Sequence, residues 1–249
     1  ATPALNRSLS LIAGGTLTLL GGGSIDTGSA DLTLASGTGL STGGTLAGTN
    51  LSLAGGSGGI TLNNDLLARG NLTLQSSNAP ILQSGGNLAV AGSSSVTAGA
   101  APVSLASAGN DFTGPVSVTV GGANSVSLRD ANALPLGTLT MGGGALSLVA
   151  AGDLTQTGPI SAAGTTTIAA GAGDVTLINA ANDFLGPVSV GGAAIAVRDA
   201  TDLSVAATPA LNRSLSLIAG GTLTLLGGGS TAAATGDLTR GSGTGRTLA

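Results

Sequence analysis

Eleven Asp and seven Arg are the only charged side chains in this 249-residue sequence; Lys, Glu, His, Cys and Tyr are absent. Clustered carboxylates beside Arg are the catalytic chemistry to weigh first. Asp199 and Asp202, beside Arg198, form the nearest acidic pair. Glycoside hydrolysis needs two carboxyls roughly 5–10 Å apart, and this spacing could meet that. However, the sister block around Arg129-Asp130 carries Ala133 at the Asp202-equivalent position. The only aromatics are Phe112 and Phe184, so nothing is available to stack sugar rings. We expect no enzyme and no catalytic, cofactor-binding or metal-binding residue.

The next candidate is the pair Asn110-Asp111-Phe112 and Asn182-Asp183-Phe184. The first follows Gly109 and resembles the turns of calcium-binding nonapeptide repeats, where Asp and carbonyl oxygens share a hard cation. Those repeats need tandem copies nine residues apart, and these copies are 72 apart. We read them instead as turns in which Asn and Asp bond their own backbone and Phe fills the core. Arg129-Asp130 and Arg198-Asp199 read as charged turn positions that discourage side-by-side association. Neighbours on a strand face opposite ways, so neither is a natural ion pair. Thr-x-Thr triplets such as Thr16-Leu17-Thr18 and Thr222-Leu223-Thr224 could order water on a flat face, but Ser, Ala and Asn interrupt them.

Composition excludes further classes. There is no thiolate, no imidazole base and no Schiff-base lysine. A net charge of −4 with two aromatics does not suit nucleic-acid binding, which needs a basic surface and stacking rings. No apolar run approaches the 18 or more residues of a membrane span. No leader with a charged start and a cleavage site is visible, so the sequence reads as an interior or mature segment. With 42% apolar residues it is nevertheless not disordered.

Repeats organise what remains. Residues 1–24 recur unchanged at 207–230, an offset of 206. Asn110–Val118 matches Asn182–Val190 at offset 72, with Pro115 and Pro187 in equivalent places. Val126–Ala131 matches Ile195–Ala200 at offset 69, and Leu82–Gly85 resembles Thr155–Gly158 at offset 73. The unit is thus 69–73 residues, nested in 206. Its local pattern is apolar-polar-apolar, as in Leu9-Ser10-Leu11 and Leu72-Thr73-Leu74, which is strand periodicity with one buried face. Gly-Gly, Asn-Asp and Gly-Pro separate the triplets and supply turns. Such short regular strands predict an all-β parallel solenoid. At three triplets per coil it has about 23 residues per coil and roughly 10–11 coils, stacked about 4.8 Å apart. One 206-residue period would take about nine coils, and equivalent residues of adjacent units would lie roughly 14 Å apart by the same spacing. The whole of 1–249 reads as one solenoid, with 231–249 a frayed end or the start of a next unit.

The Asn-Asp-Phe-x-Gly-Pro-Val-Ser-Val blocks, the Arg-Asp-Ala blocks and the Gly-Gly-x-Leu-x-Leu triplets resemble repeats of filamentous-haemagglutinin-like bacterial exoproteins, best from about residue 71 to 230. The resemblance implies a right-handed parallel β-helix, secreted by a two-partner or autotransporter route to the bacterial cell surface. It implies an adhesin or biofilm role, with other copies, host surfaces or glycans as partners. On this reading the chain is a segment of an extracellular fibre or adhesin stalk. The alternatives are a glycan- or host-protein-binding module, with loops near 36–50 and 75–80 as its surface, and, further off, a polysaccharide lyase or hydrolase. Asn110, Asp111, Phe112, Pro115, Arg129, Asp130, Asn182, Asp183, Phe184, Pro187, Arg198 and Asp199 then serve as structural repeat positions.

Overall fold

The computed structural model describes residues 4–207, 214–226, 238–242 and 245–248. Residues 231–237, part of the segment expected to fray or to begin a new unit, lie outside the described residues, as do stretches of the second 24-residue copy.

The alternating triplets form short strands, and each pairs in parallel with the strand one turn later. In the first sheet Leu9 sits on Leu32, Leu32 on Leu51, Leu51 on Leu72 and Leu72 on Ser94. A second sheet runs Leu17, Leu40, Ile60, Ile81, Val103 and onward in the same way. The sheets hold 14, 12 and 5 strands among the described residues. The molecule is therefore a parallel β-solenoid of about 10 turns spaced about 21 residues apart, with nearly no helix. The turn is shorter than the 23 residues expected, with Leu32 to Leu51 taking 19 and Leu51 to Leu72 taking 21.

Leu, Ile and Val at the alternate strand positions point inward and form one buried core from Leu32 to Leu225, while Leu67, Leu82, Ile178, Leu185 and Ile218 are exposed. Burying each such side chain stabilises by about 1.5–3 kcal/mol before chain entropy is counted. Ser and Thr point outward and stack on one another. In the first sheet the row Ser10, Thr33, Ser52, Thr73, Ser95, Ser117 is unbroken. The hydroxyl rows are thus more regular than the sequence suggests, because Ser and Thr alternate within them.

The third side opens and closes. Ser24–Asp26, Thr45–Gly48, Leu66–Ala68, Leu88–Val90 and Asp111–Phe112 form the 5-stranded sheet, which ends at Phe112. After Val126–Asp130 the chain passes straight to Leu134–Met141 in the first sheet. A new short pair, Ile160–Ala162 with Asp183–Phe184, then opens and closes in turn.

This changes the geometry of the repeats. Val116–Val120 lies in the 14-stranded sheet, but its sequence equivalent Val188–Gly191 lies in the 12-stranded one. Val126–Asp130 and Ile195–Asp199 exchange sheets in the opposite sense. Equivalent residues of adjacent units are therefore not stacked on one face about 14 Å apart, as expected, because each unit omits a third-side strand. The 206-residue repeat does return to phase. Leu9–Ala13 and Leu215–Ala219 share the first sheet, and Leu17–Leu19 and Thr222–Leu225 share the second. Ten strand-to-strand steps along the first sheet separate the two copies, not nine.

Candidate functional site

Among the described residues, buried polar side chains that bond between coils cluster where the third side closes. Two buried Asn side chains organise them. Gln83 Nε2 donates to Asn110 Oδ1 at 2.8 Å, and Asn110 Nδ2 donates back to Gln83 Oε1 at 2.9 Å. Asn110 Oδ1 also accepts from the Leu88 amide, and its Nδ2 donates to the Leu105 carbonyl. The arrangement recurs one unit later. Gln156 and Asn182 exchange the same two bonds at 2.8 and 2.9 Å. The Ile160 amide and the Leu177 carbonyl take the other two. Both Asn residues are fully buried. Each clasp satisfies backbone groups of two coils, and an unpaired polar group there would cost about 1–3 kcal/mol.

An Asp completes each closure. Phe112 and Phe184 are the last strand residues of their stacks, so their amides have no following strand to donate to. Asp130 Oδ2 accepts from the Phe112 amide at 2.7 Å, and Asp199 Oδ2 from the Phe184 amide at 2.7 Å. The other oxygens accept from the Asn132 and Thr201 amides. The carboxylate thus stands where the next strand's carbonyl would be. Asp130 and Asp199 are buried while Arg129 and Arg198 face solvent. This corrects the reading of both members of each Arg-Asp block as exposed turn charges: strand alternation puts one in the core.

Burial pushes the Asp130 carboxyl above its ordinary range, against the two amide bonds that pull it down; nearby Asp111 adds repulsion. Asp199 is raised for the same reasons, with Asp183 as its neighbour. A raised native pKa means the folded state binds the proton more tightly than the unfolded one. The contribution is then fully present below the ordinary value of 3.8 and is lost as pH rises through the raised pKa. Acidifying from neutral towards pH 4 is therefore expected to raise the unfolding midpoint through these two groups. Thermal melts of wild type and the D130N/D199N double variant check this, since the variant should lose the increment. Asp26 behaves oppositely. Bonds from Arg69, then from the Gly28 amide, hold its carboxyl low, so its contribution fades only as pH falls below 3.8.

Arg69 reaches across the intervening strand to grip Asp26 through both guanidinium nitrogens at 3.0 Å. Both side chains are part-exposed, so this pair contributes at most about 1 kcal/mol. Elsewhere side-chain ladders fasten the corners. Asp31 accepts from Asn50, Asn50 from the Asn71 amide, and Asn71 from Ser93. Two buried hydroxyls, Ser94 Oγ and Thr166 Oγ1, occupy equivalent repeat positions and have no partner. Replacing Thr166 by the near-isosteric Val is expected to stabilise by about 0.5–2 kcal/mol. A urea unfolding curve measures it.

The other sequence candidates fall as follows. Phe112 and Phe184 lie in the core. Asn110 and Asn182 bond nearby backbone through the Leu105 and Leu177 carbonyls and, because their side chains point inward, also reach the preceding coil through the Leu88 and Ile160 amides. Asp111 is exposed, and Asp183 accepts from the Thr201 hydroxyl. The Pro115 and Pro187 carbonyls accept from the Ser94 and Thr166 amides and continue the ladder. Asp199 and Asp202 do not form a free acidic pair: Asp199 is committed to the Phe184 closure, and Asp202 Oδ1 accepts from the Thr222 amide. No group of three metal-ligating side chains occurs among the described residues. Sequence reasoning missed Gln83 and Gln156. The signal was present, since each precedes its Asn by 26–27 residues, just over one turn.

The geometry defines a tandem-repeat parallel β-solenoid whose units each close a short strand stack with a Gln-Asn-Asp set. Residues 48–119 and 123–191 match the family described as Repeats of unknown function (DUF5649), more than half of the chain, and the chain belongs to that family. The matched stretches are 72 and 69 residues long, the length of the unit read from the internal offsets. No curated protein and no solved structure matches the chain.

Proposed function

We propose that the chain is a structural segment of a secreted bacterial β-helical fibre or adhesin stalk. One observation carries this reading: the 206-residue repeat returns to the same sheets after ten steps, so successive copies can continue one rod without a fault. The buried polar side chains support it, since Asn110, Asn182, Asp130 and Asp199 are all spent on joining coils. The exterior rows of hydroxyls fit a rod as well, because they avoid stacking like charges at sheet spacing. The mechanism is then geometric. Backbone ladders along the axis give stiffness, and repeat number gives reach.

Antibodies raised against the purified chain, applied to thin sections of cells that make it, test the proposal under the electron microscope. Label along filaments outside the cell is the expected result. Label confined to the cell interior would overturn it.

A further inference from the structure

The two closures share their Asn and Asp but differ two residues after the buried Asp. In the second closure the Thr201 hydroxyl lies 3.0 Å from Asp183 Oδ1 and 3.2 Å from Asp199 Oδ1. A hydroxyl carries one proton and donates to one of these oxygens at a time. The nearer oxygen belongs to Asp183. The contact with Asp199 then sets two acceptor oxygens at hydrogen-bond distance, and a proton on the Asp199 carboxyl is what completes it. Asp199 is buried, Asp183 is half-buried and Thr201 is exposed. In the first closure Asn132 stands where Thr201 does. Its backbone amide donates to Asp130 Oδ1, and its side chain bonds neither Asp111 nor Asp130.

We propose that the second closure is an acid-tightened clasp, in which Asp183 and Asp199 share one proton through the Thr201 hydroxyl, and that the first closure has no such relay. When the pair takes up the proton, Asp199 Oδ1–H donates to Thr201 Oγ1, and the Thr201 hydroxyl donates to Asp183 Oδ1. Both contacts are then hydrogen bonds, and one of two neighbouring charges is gone. The Phe184 and Thr201 amides keep their Asp199 acceptors, so the third side stays closed. At neutral pH both carboxylates are ionised and repel, and the hydroxyl serves only one. The titration belongs to the pair and not to either residue alone. The other charged groups around Asp199 are engaged elsewhere. Asp202 accepts from the Thr222 amide, Asp174 accepts from the Ala194 amide at the far end of the strand, and Arg198 faces solvent. The strands on either side, Val175–Leu177 and Leu215–Ala219, carry no charged residue.

A hydroxyl with a merely structural role gives the opposite pH dependence. Donation to the Asp199 carboxylate alone favours its ionised form and holds its pKa down. Passing the proton on towards Asp183 favours the protonated pair. Thr201 is exposed, so Thr201→Val leaves the core intact, and Thr201→Ser restores the hydroxyl. Urea unfolding of the full chain at pH 7 and at about pH 4, on either side of the shared step, gives the stability gained on acidification. That gain should shrink about twofold or more in Thr201→Val, because the protonated pair loses its bridge. It should return in Thr201→Ser and stay unchanged in Asn132→Val at the first closure. A gain in Thr201→Val equal to or larger than that of the wild type would overturn the clasp. Carbon-13 NMR of the Asp carboxyls reads the pair in the unaltered chain. The Asp183 and Asp199 signals should move together through one shared step, and two independent single-site curves would overturn the sharing.

Discussion

Replacing Asn182 by Ala is expected to destabilise the second unit by about 3–5 kcal/mol, the range of losses that follow when a buried polar network is broken. The side chain satisfies the Ile160 amide, the Leu177 carbonyl and both ends of the Gln156 amide. Truncation strands the Ile160 amide and the Leu177 carbonyl, each at about 1–3 kcal/mol, while Gln156 keeps its bonds with the Gly158 carbonyl and the Asn179 amide. Adding Gln156→Ala should cost less than the sum of the single changes, because either substitution alone already removes the two bonds the residues share. Urea unfolding of the two single variants and the double gives the coupling. A loss under about 1 kcal/mol for Asn182→Ala, less than a single orphaned group would cost, would mean that water replaces the clasp.

Phe184→Ala is the other large effect, with about 3–5 kcal/mol expected for an aromatic lost from a packed core. Phe184 is almost fully buried, and its strand neighbour one turn back is the small Ala162, so the ring has no bulky neighbour there to fill its place. Phe112 lies against Val90 instead, and its truncation should cost somewhat less. The backbone amide of Phe184 still finds Asp199 in the variant, so the change isolates packing from closure. Hydrogen exchange adds a spatial test. In a linear solenoid each coil contacts only its neighbours, so protection should fall around 160–199 and hold around 32–75. Uniform loss along the rod would contradict such local coupling.

Much of the fold is legible in the sequence because period-2 patterning and stacking are both one-dimensional. Leu72-Thr73-Leu74 shows which side chains are inside, and tandem offsets show that turns repeat. The sheet exchange between units was not legible. It depends on whether the chain after Asp130 or Asp199 makes a third-side strand, and three or four turn residues decide that. The roles of Asp130 and Asp199 were hidden for a related reason. A charged residue after Arg reads as surface unless the strand is known to continue through it, and here the alternation that hides Leu128 hides Asp130 too. Asn110 and Asn182 carried a turn signature that was real, since each amide donates to a carbonyl three residues back. Their side chains, however, serve the neighbouring coil. The stranded Ser94 and Thr166 hydroxyls follow from the same repetition: a feature tolerated in one unit is copied into the next.

The central claim is that the 206-residue repeat spans ten turns and brings the chain back into phase. Cryo-electron microscopy or fibre diffraction of rods made of tandem copies of the 206-residue repeat tests it most directly. With parallel strands about 4.8 Å apart, the account predicts a 4.8 Å spacing along the axis and an axial period of about 48 Å by the same spacing. An axial period of about 14 Å, three turns at that spacing, would show that the shorter unit sets the repeat and would contradict the exchange of sheets. A 4.8 Å spacing perpendicular to the axis would contradict the rod itself.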